Sequence, residues 1–375
     1  MNRSMNLITN RSTFRIVQRI MHRSSMMLTL AVFGSAAASS SALAQSTKPA
    51  APTARKKAWV APRTPDGHPD FQGNWTNGTM TPLERPTGYG RALTVEQAAT
   101  LEKIRADTVE QLAKQSDPNR PAPPKGGDGS VGAAGNVGGY NYFWIDAGDH
   151  MAVVNGEIRS SIIVDPANGR VPPLTAAGRE KQAERFRQSR RFGEYDNPEN
   201  RPLAERCIMS FGSNAGPPML PNYFYNNNYT IVQTKDHVMI MTEMVHDARM
   251  IHMKPMAPLP KSMRPWMGDS HGKWIGDTLV IETTNFHPEQ LFRSASDNLR
   301  LIERFHRVDA NTLLYRFTVD DPITFTQQWS GELPFLKMDQ LIYEYACHEG
   351  NYALSNILSG ERARDREAAA KPSKP

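Results

Sequence analysis

The chain has 375 residues, of which 39% are hydrophobic, at a mean hydropathy of −0.54. This suits a globular protein of one large or two ordinary domains with long polar segments. The formal net charge of +6 falls to +1 when five leader arginines are set aside, because Lys+Arg drops from 44 to 39 against 38 acids. The basic pI is therefore no argument for a nucleic-acid partner.

Residues 1–44 carry Arg3, Arg11, Arg15, Arg19 and Arg23 and no acid, then the apolar run MMLTLAVFGSAAA, then Ala42-Leu43-Ala44. A basic region, a short apolar run and an A-x-A site predict a secretory signal peptide cleaved before Gln45. The apolar run is too short to span a bilayer comfortably. Internal Met21 and Met26 offer alternative starts. Residues 45–62 (QSTKPAAPTARKKAWVAP) read as a disordered Pro/Ala/Lys linker.

Residues 63–227 form an N-terminal segment expected to pack on the main domain. Phe71–Trp75 lies between turns and predicts a first strand. In 94–115, Thr94 caps and Gln97 follows three later, while Val95, Ala98, Leu101, Ile104 and Val109 mark one helical face. Residues 116–139, rich in Gly, Pro and Asp, are a loop. YNYFWIDAG and IRSSIIVDPANGRVPPLT predict short strands, and LTAAGREKQAERFRQSRR a charged helix whose arginines form a solvated face.

From residue 228 to 353 the pattern becomes hairpins. YTIVQTKDHVMIMTEM turns at Lys235-Asp236, KWIGDTLVIETTNF at Gly276-Asp277, and LRLIERFHRVDANTLLYRFTVDDP at Asp309-Ala310-Asn311. VHDARMIHM, FTQQWSGELPFLK and QLIYEYACHEG complete about eight strands without crossover helices. In LLYRFTV, Leu314, Arg316 and Thr318 alternate with Tyr315, Phe317 and Val319, so one face is packed and the other polar. Gly73-x-Trp75 resembles the opening G-x-W of lipocalin-like barrels. The predicted fold is mainly β, an antiparallel meander closing as a lipocalin-like barrel with N- and C-terminal helices. Residues 354–375 read as the terminal helix and a Lys/Pro tail. The only cysteines, Cys207 and Cys347, predict a disulfide in an oxidising compartment.

Several blocks taken together carry a resemblance: DFQGNWTNGTMTPLERP, GPPMLPNYFYNNN, EMVHDAR, WMGDSHGKWIGDTLVIETTNF, LIERFHRVDANTLLYRFTVDDP and YEYACHEGNY. From about residue 62 to residue 365 the chain resembles a widespread family of exported bacterial proteins without an assigned activity. The resemblance implies export and a β-rich fold. Where that family usually has Arg, this chain has His271.

Ionisable groups inside strand patterns are costly unless paired or used. His246, Asp247 and Arg249 follow Glu243 directly after the first hairpin. Asn226, Asn227 and Asn228 lead into the meander, Asp269 and His271 sit in the GDSHG turn, and His348 and Glu349 follow Cys347. The predicted roles are His246 as base, Asp247 as its orienter, Arg249 as anion anchor, and His348 or Glu349 as second acid/base. Asn226, Asn227, Asn228, Glu243, Asp269, His271 and Trp266 are the expected substrate contacts. The competing reading is structural, with Arg249 paired to Asp247 or Asp269. Met250, His252, Met253 and Met256 offer soft ligands, but no metal-ligand spacing accompanies them, and neither metal nor cofactor is expected. Trp266, Trp274 and Trp329 fit core packing or a pocket lining.

The sequence therefore points to a periplasmic, cofactor-independent lyase or hydrolase acting on a small organic, aromatic or sugar-like molecule. The alternative is a lipocalin-like periplasmic binding protein for an apolar or aromatic ligand. The expected partner is a small molecule, with no nucleic acid and no stable membrane anchor.

Overall fold

Alternating burial, with large side chains on one parity, builds a closed barrel. The computed structural model describes residues 59–114, 119, 121, 145–210, 215–221, 226–290 and 292–370, and Ala58–Pro375 form one unit. The predicted signal peptide and most of the predicted linker lie outside the described residues. The barrel strands are β1 (Gly73–Thr76), β5 (Asn228–Gln233), β6 (His237–Thr242), β7 (Ala248–His252), β8 (Asp269–Ile275), β9 (Thr278–Thr284), β10 (Arg300–Arg307), β11 (Thr312–Asp320) and β12 (Trp329–Met338). They follow one another in that order, and β12 returns to pair with β1. β4 (Ile163–Asp165) adds to the other end of β12, while β2 (Val153–Val154) and β3 (Glu157–Ile158) make a small ribbon of their own.

The predicted first strand is the one that closes the ring. Asn74 pairs with Thr230 on one side and Met338 on the other, and Trp75 is fully buried. The Trp75 indole donates to the Phe71 carbonyl at 2.9 Å, and the Arg307 guanidinium lies 5.6 Å from the Trp75 ring centroid. Pro334 sits between the β4-paired and β1-paired ends of β12, where a strand tolerates a residue lacking an N–H.

Two features differ from a simple antiparallel meander. β7 and β8 are parallel, with Ile251 opposite Ser270 and His252 opposite His271. Their connection contains Pro255, Pro258, Pro260 and Pro265. It runs as a strap back to the strand's starting end, because a parallel pair excludes a tight hairpin and the prolines exclude a helix. The predicted strand in QLIYEYACHEG is absent: Leu341 and Tyr343 are exposed, because β12 already has β11 and β1 on its two edges there.

The interior is solid. On β11, Tyr315, Phe317 and Val319 are fully buried, the parity expected from LLYRFTV. They meet Trp329, Leu333 and Phe335 of β12 and Phe305 of β10 in one cluster. Each such side chain contributes about 1.5–3 kcal/mol on burial, so the filled lumen is the main source of stability. Trp329 is therefore a core residue. Trp274 is half-buried and stacked on His68 at 4.7 Å.

Helix α1 (Val95–Ala113) begins in the expected capping box of Thr94 and Gln97. It buries only Ala98 and Leu112, and Val95, Ile104 and Val109 stay exposed, so the apolar face predicted for it is only partly used. Helix α2 (Ala176–Ser189) carries Arg187 paired with Glu180 and Glu184 at its surface, as its charge pattern predicts. Helix α3 (Ala353–Ala370) ends the described chain. No helix among the described residues is long and apolar enough to cross a membrane. The disulfide Cys207–Cys347 is formed, across a sequence separation of 140.

Candidate functional site

The stretch VHDARMIHM divides its charges among three places. The first is the bend between β6 and β7. Thr242 N–H bonds the Asp247 carbonyl at 2.9 Å and closes the bend, while Val245 (φ 63°) and His246 (φ 47°) both occupy the left-handed region. A β-branched residue there is an outlier, and each such residue costs about 1–3 kcal/mol. Val245 is buried while His246 projects outward, so the strain accompanies the outward placement of the imidazole.

Around the bend, the three asparagines form a clamp. Asn226 and Asn228 donate to the two oxygens of Glu243 at 2.9 and 2.7 Å. Asn226 accepts from the Asp146 N–H at 2.8 Å, and Asn227 donates to the Asp146 carbonyl at 3.2 Å. Glu243 is thus a buried carboxylate held by neutral donors, which fixes it without cancelling its charge. The neighbouring Asp247 is half-buried, and its Oδ2 has no hydrogen-bond partner among the described residues. Burial pushes the Asp247 carboxyl up to about 6, with the His246 charge acting in the opposite sense.

His246 Nδ1 lies 3.1 Å from the carbonyl of Tyr345. A carbonyl only accepts, so Nδ1 carries the hydrogen in this contact and Nε2 is the nitrogen left for proton exchange. The Cys207–Cys347 bond anchors the segment that supplies this carbonyl. His348 and Glu349 follow in the same segment as exposed turn residues.

Arg249 is the second place, and here the anion-anchor expectation requires correction. Its side chain points into the barrel, is 3% exposed, and forms a bidentate pair with fully buried Glu303 at 2.7 and 3.2 Å. Tyr315 donates its hydroxyl to Glu303 at 2.8 Å and accepts the Met219 N–H at 3.1 Å. Burial, with the Glu303 charge, raises the Tyr315 hydroxyl well above its usual range. Arg249 is committed to closing this network and does not face the bend. Its partner is neither Asp247 nor Asp269.

The third place is the outer wall at the far end of β7. Buried Asp269 accepts the Leu259 N–H at 2.8 Å and tethers the strap. His271 Nε2 stands 3.1 Å from the same carboxylate without hydrogen-bond alignment. Trp266, within the strap, packs against His287 in a tilted arrangement with ring centroids 3.8 Å apart. These residues hold the strap rather than join the bend.

Sequence reasoning missed Glu303 and Tyr315 as partners of Arg249. The signal was present: in LRLIERFHR, Glu303 shares the buried parity of Leu301 and Phe305. The Tyr345 carbonyl and the backbone of Asp146 carry no comparable sequence signal. No group of three or more His, Cys, Asp or Glu residues suited to a metal ion occurs among the described residues. No family model, curated protein or solved structure matches this chain.

Proposed function

We propose that this protein is an exported, periplasmic enzyme that performs general acid–base chemistry without a cofactor. The reaction is of lyase or hydrolase type, on a small organic, aromatic or sugar-like substrate. The bend at the end of the barrel is its working centre. One observation carries this reading: a strained, non-glycine bend holds an exposed histidine beside a half-buried carboxyl with an unsatisfied oxygen. Strain of this kind persists where the surroundings enforce it, and it clusters at functional sites.

The geometry supports the following roles. His246 Nε2 takes a substrate proton, since its Nδ1 hydrogen is directed to Tyr345. Asp247, with its carboxyl near 6, exchanges a proton close to neutral pH. Glu243, fixed by Asn226 and Asn228, supplies a positioned carboxyl group beside the bend. His348 and Glu349 are the exposed groups on the disulfide-anchored segment available for a second proton transfer. The leader pattern and the disulfide support export. A lipocalin-like binder has less support, because Trp75, Tyr229, Phe305, Tyr315, Phe317 and Phe335 fill the lumen that its ligand would need.

The test compares metabolites of a deletion strain complemented with wild type, His246→Ala or Asp247→Asn, alongside thermal melts of each purified variant. The expected result is a metabolite change restored by wild type alone, with both variants folded. Full complementation by His246→Ala, or its failure to fold, would overturn the assignment.

A further inference from the structure

Outside the bend, one cluster of charge is not explained by the fold. On the outer face, Arg304 of β10 stands directly opposite Arg316 of β11. Like charges in directly opposed cross-strand positions destabilise a sheet, and the carboxylate opposite Arg316 on its other side, Glu332 of β12, is already bound by Arg159. Neither guanidinium has an ion pair or hydrogen bond among the described residues, although both strands are paired along their length. In the same row, Val280 of β9 separates Arg304 from Lys273 of β8.

Lys273, Val280 and Arg304 of this row form the floor of a cleft of about 590 Å³ between the strap and the outer faces of β8, β9 and β10, with Arg316 beyond its edge. The volume falls within the usual range for small-molecule sites. Four fixed cations line it, Lys254, Lys273, Arg300 and Arg304, against a single carboxylate, Glu282. That carboxylate is already taken by Arg300 at 2.8 Å, and Lys254 is paired with Asp236 at 2.8 Å. Arg304 and Lys273 remain as uncommitted positive charges, with His252 and His271 on the neighbouring wall. Apart from the Thr284 hydroxyl, the remaining lining is mostly apolar, with Met256 on the strap and Val280 and Ile302 on the floor. Val280 is outward-facing yet only 8% exposed, so the strap already shields part of this floor from water.

We propose that this cleft binds a small organic anion, with Arg304 and Lys273 holding the charged group and Met256, Val280 and Ile302 covering an apolar body. The site goes beyond the acid–base centre and does not depend on it. A bound carboxylate, sulfonate or phosphate ester would remove the Arg304–Arg316 repulsion and supply the acceptors that guanidinium and ammonium groups lack. Cations alone would also suit an inorganic anion. The apolar lining selects an anion with a hydrophobic part.

Two fluorescent probes of similar shape test this on the full mature chain: anilinonaphthalene sulfonate, and uncharged phenylnaphthylamine. Inorganic phosphate serves as competitor. Wild type is expected to bind the sulfonate saturably at one site, more tightly than the neutral probe and more tightly than phosphate competes. Arg304→Gln is expected to weaken the sulfonate about tenfold, the loss of one charge-assisted contact, while leaving the neutral probe unchanged. Because that substitution removes a repulsion, its melting temperature should not fall. Lys273→Gln, at an exposed position, provides a second variant whose folding is not at issue, with a weakening in the same direction. The proposal is overturned if wild type fails to bind the sulfonate, if both probes bind equally, or if neither variant weakens sulfonate binding. Phosphate that competes as strongly as the sulfonate binds would overturn the apolar half of the assignment.

Discussion

Replacing Arg249 by methionine separates a structural charge from a functional one. The side chain is 3% exposed and its partner Glu303 is fully buried, so water cannot replace the lost guanidinium. The Tyr315 hydroxyl, at 2.8 Å, would be the remaining donor to Glu303. Removing one member of a buried pair strands the other, at about 3–5 kcal/mol. Against a total stability of about 5–15 kcal/mol, that is a large fraction. Urea titration followed by tryptophan fluorescence, with the disulfide intact, reads the loss as a lower midpoint at similar slope. The companion variant Arg249→Met/Glu303→Leu removes both charges and leaves Tyr315 to accept the Met219 N–H. It should be more stable than Arg249→Met but remain about 1–3 kcal/mol below wild type, because the ion pair itself is often no better than apolar side chains of similar volume while the Tyr315 hydroxyl loses its acceptor. A single-variant loss below about 1 kcal/mol, combined with failure to complement a deletion strain, would refute this reasoning and return Arg249 to the functional site.

Asp247→Asn should stabilise the protein at pH 7.5 while abolishing complementation. The folded carboxyl sits at about 6, above its unfolded value, so the folded state binds the extra proton and wild-type stability falls as pH rises from about 4 to 6. Allowing for partial exposure, the variant gains at most about 2 kcal/mol above that window, and equal melting temperatures at pH 4 and 7.5 relative to wild type would contradict it. Cys347→Ser reopens a long loop and should lower the denaturation free energy by about 5 kcal/mol in the chain-entropy limit, read by the same urea titration. Gly148→Ala should cost at least about 2 kcal/mol. There φ is +83° and a Cβ would lie 2.3 Å from the Thr79 nitrogen, a backbone atom that cannot move aside; an unchanged melt would contradict the described loop. Mass spectrometry of the exported protein should find Gln45 as the new N-terminus.

The sequence by itself determined the barrel and its lining, because alternation is a local property of each strand. Tyr315, Phe317 and Val319 face inward as LLYRFTV requires, and Thr94 with Gln97 starts the helix where a capping box must. It determined the disulfide as well, since two cysteines in an oxidised chain have only each other. Pairing partners are not local, so the tertiary structure alone decided the rest. The strap's prolines are visible in the sequence, but the parallel β7–β8 pair they permit is not. Arg249 and Glu303 each sit on a buried parity within their own strands, yet only barrel closure shows that they share a bidentate contact 54 residues apart. The same four-residue stretch His246–Arg249 turns one side chain out and another in, because the bend's left-handed residues reset the phase of the chain before β7 begins. A strand pattern read straight through that bend places all of its charges on one site. The folded backbone separates them into an exposed histidine beside a half-buried carboxyl and a buried, paired cation.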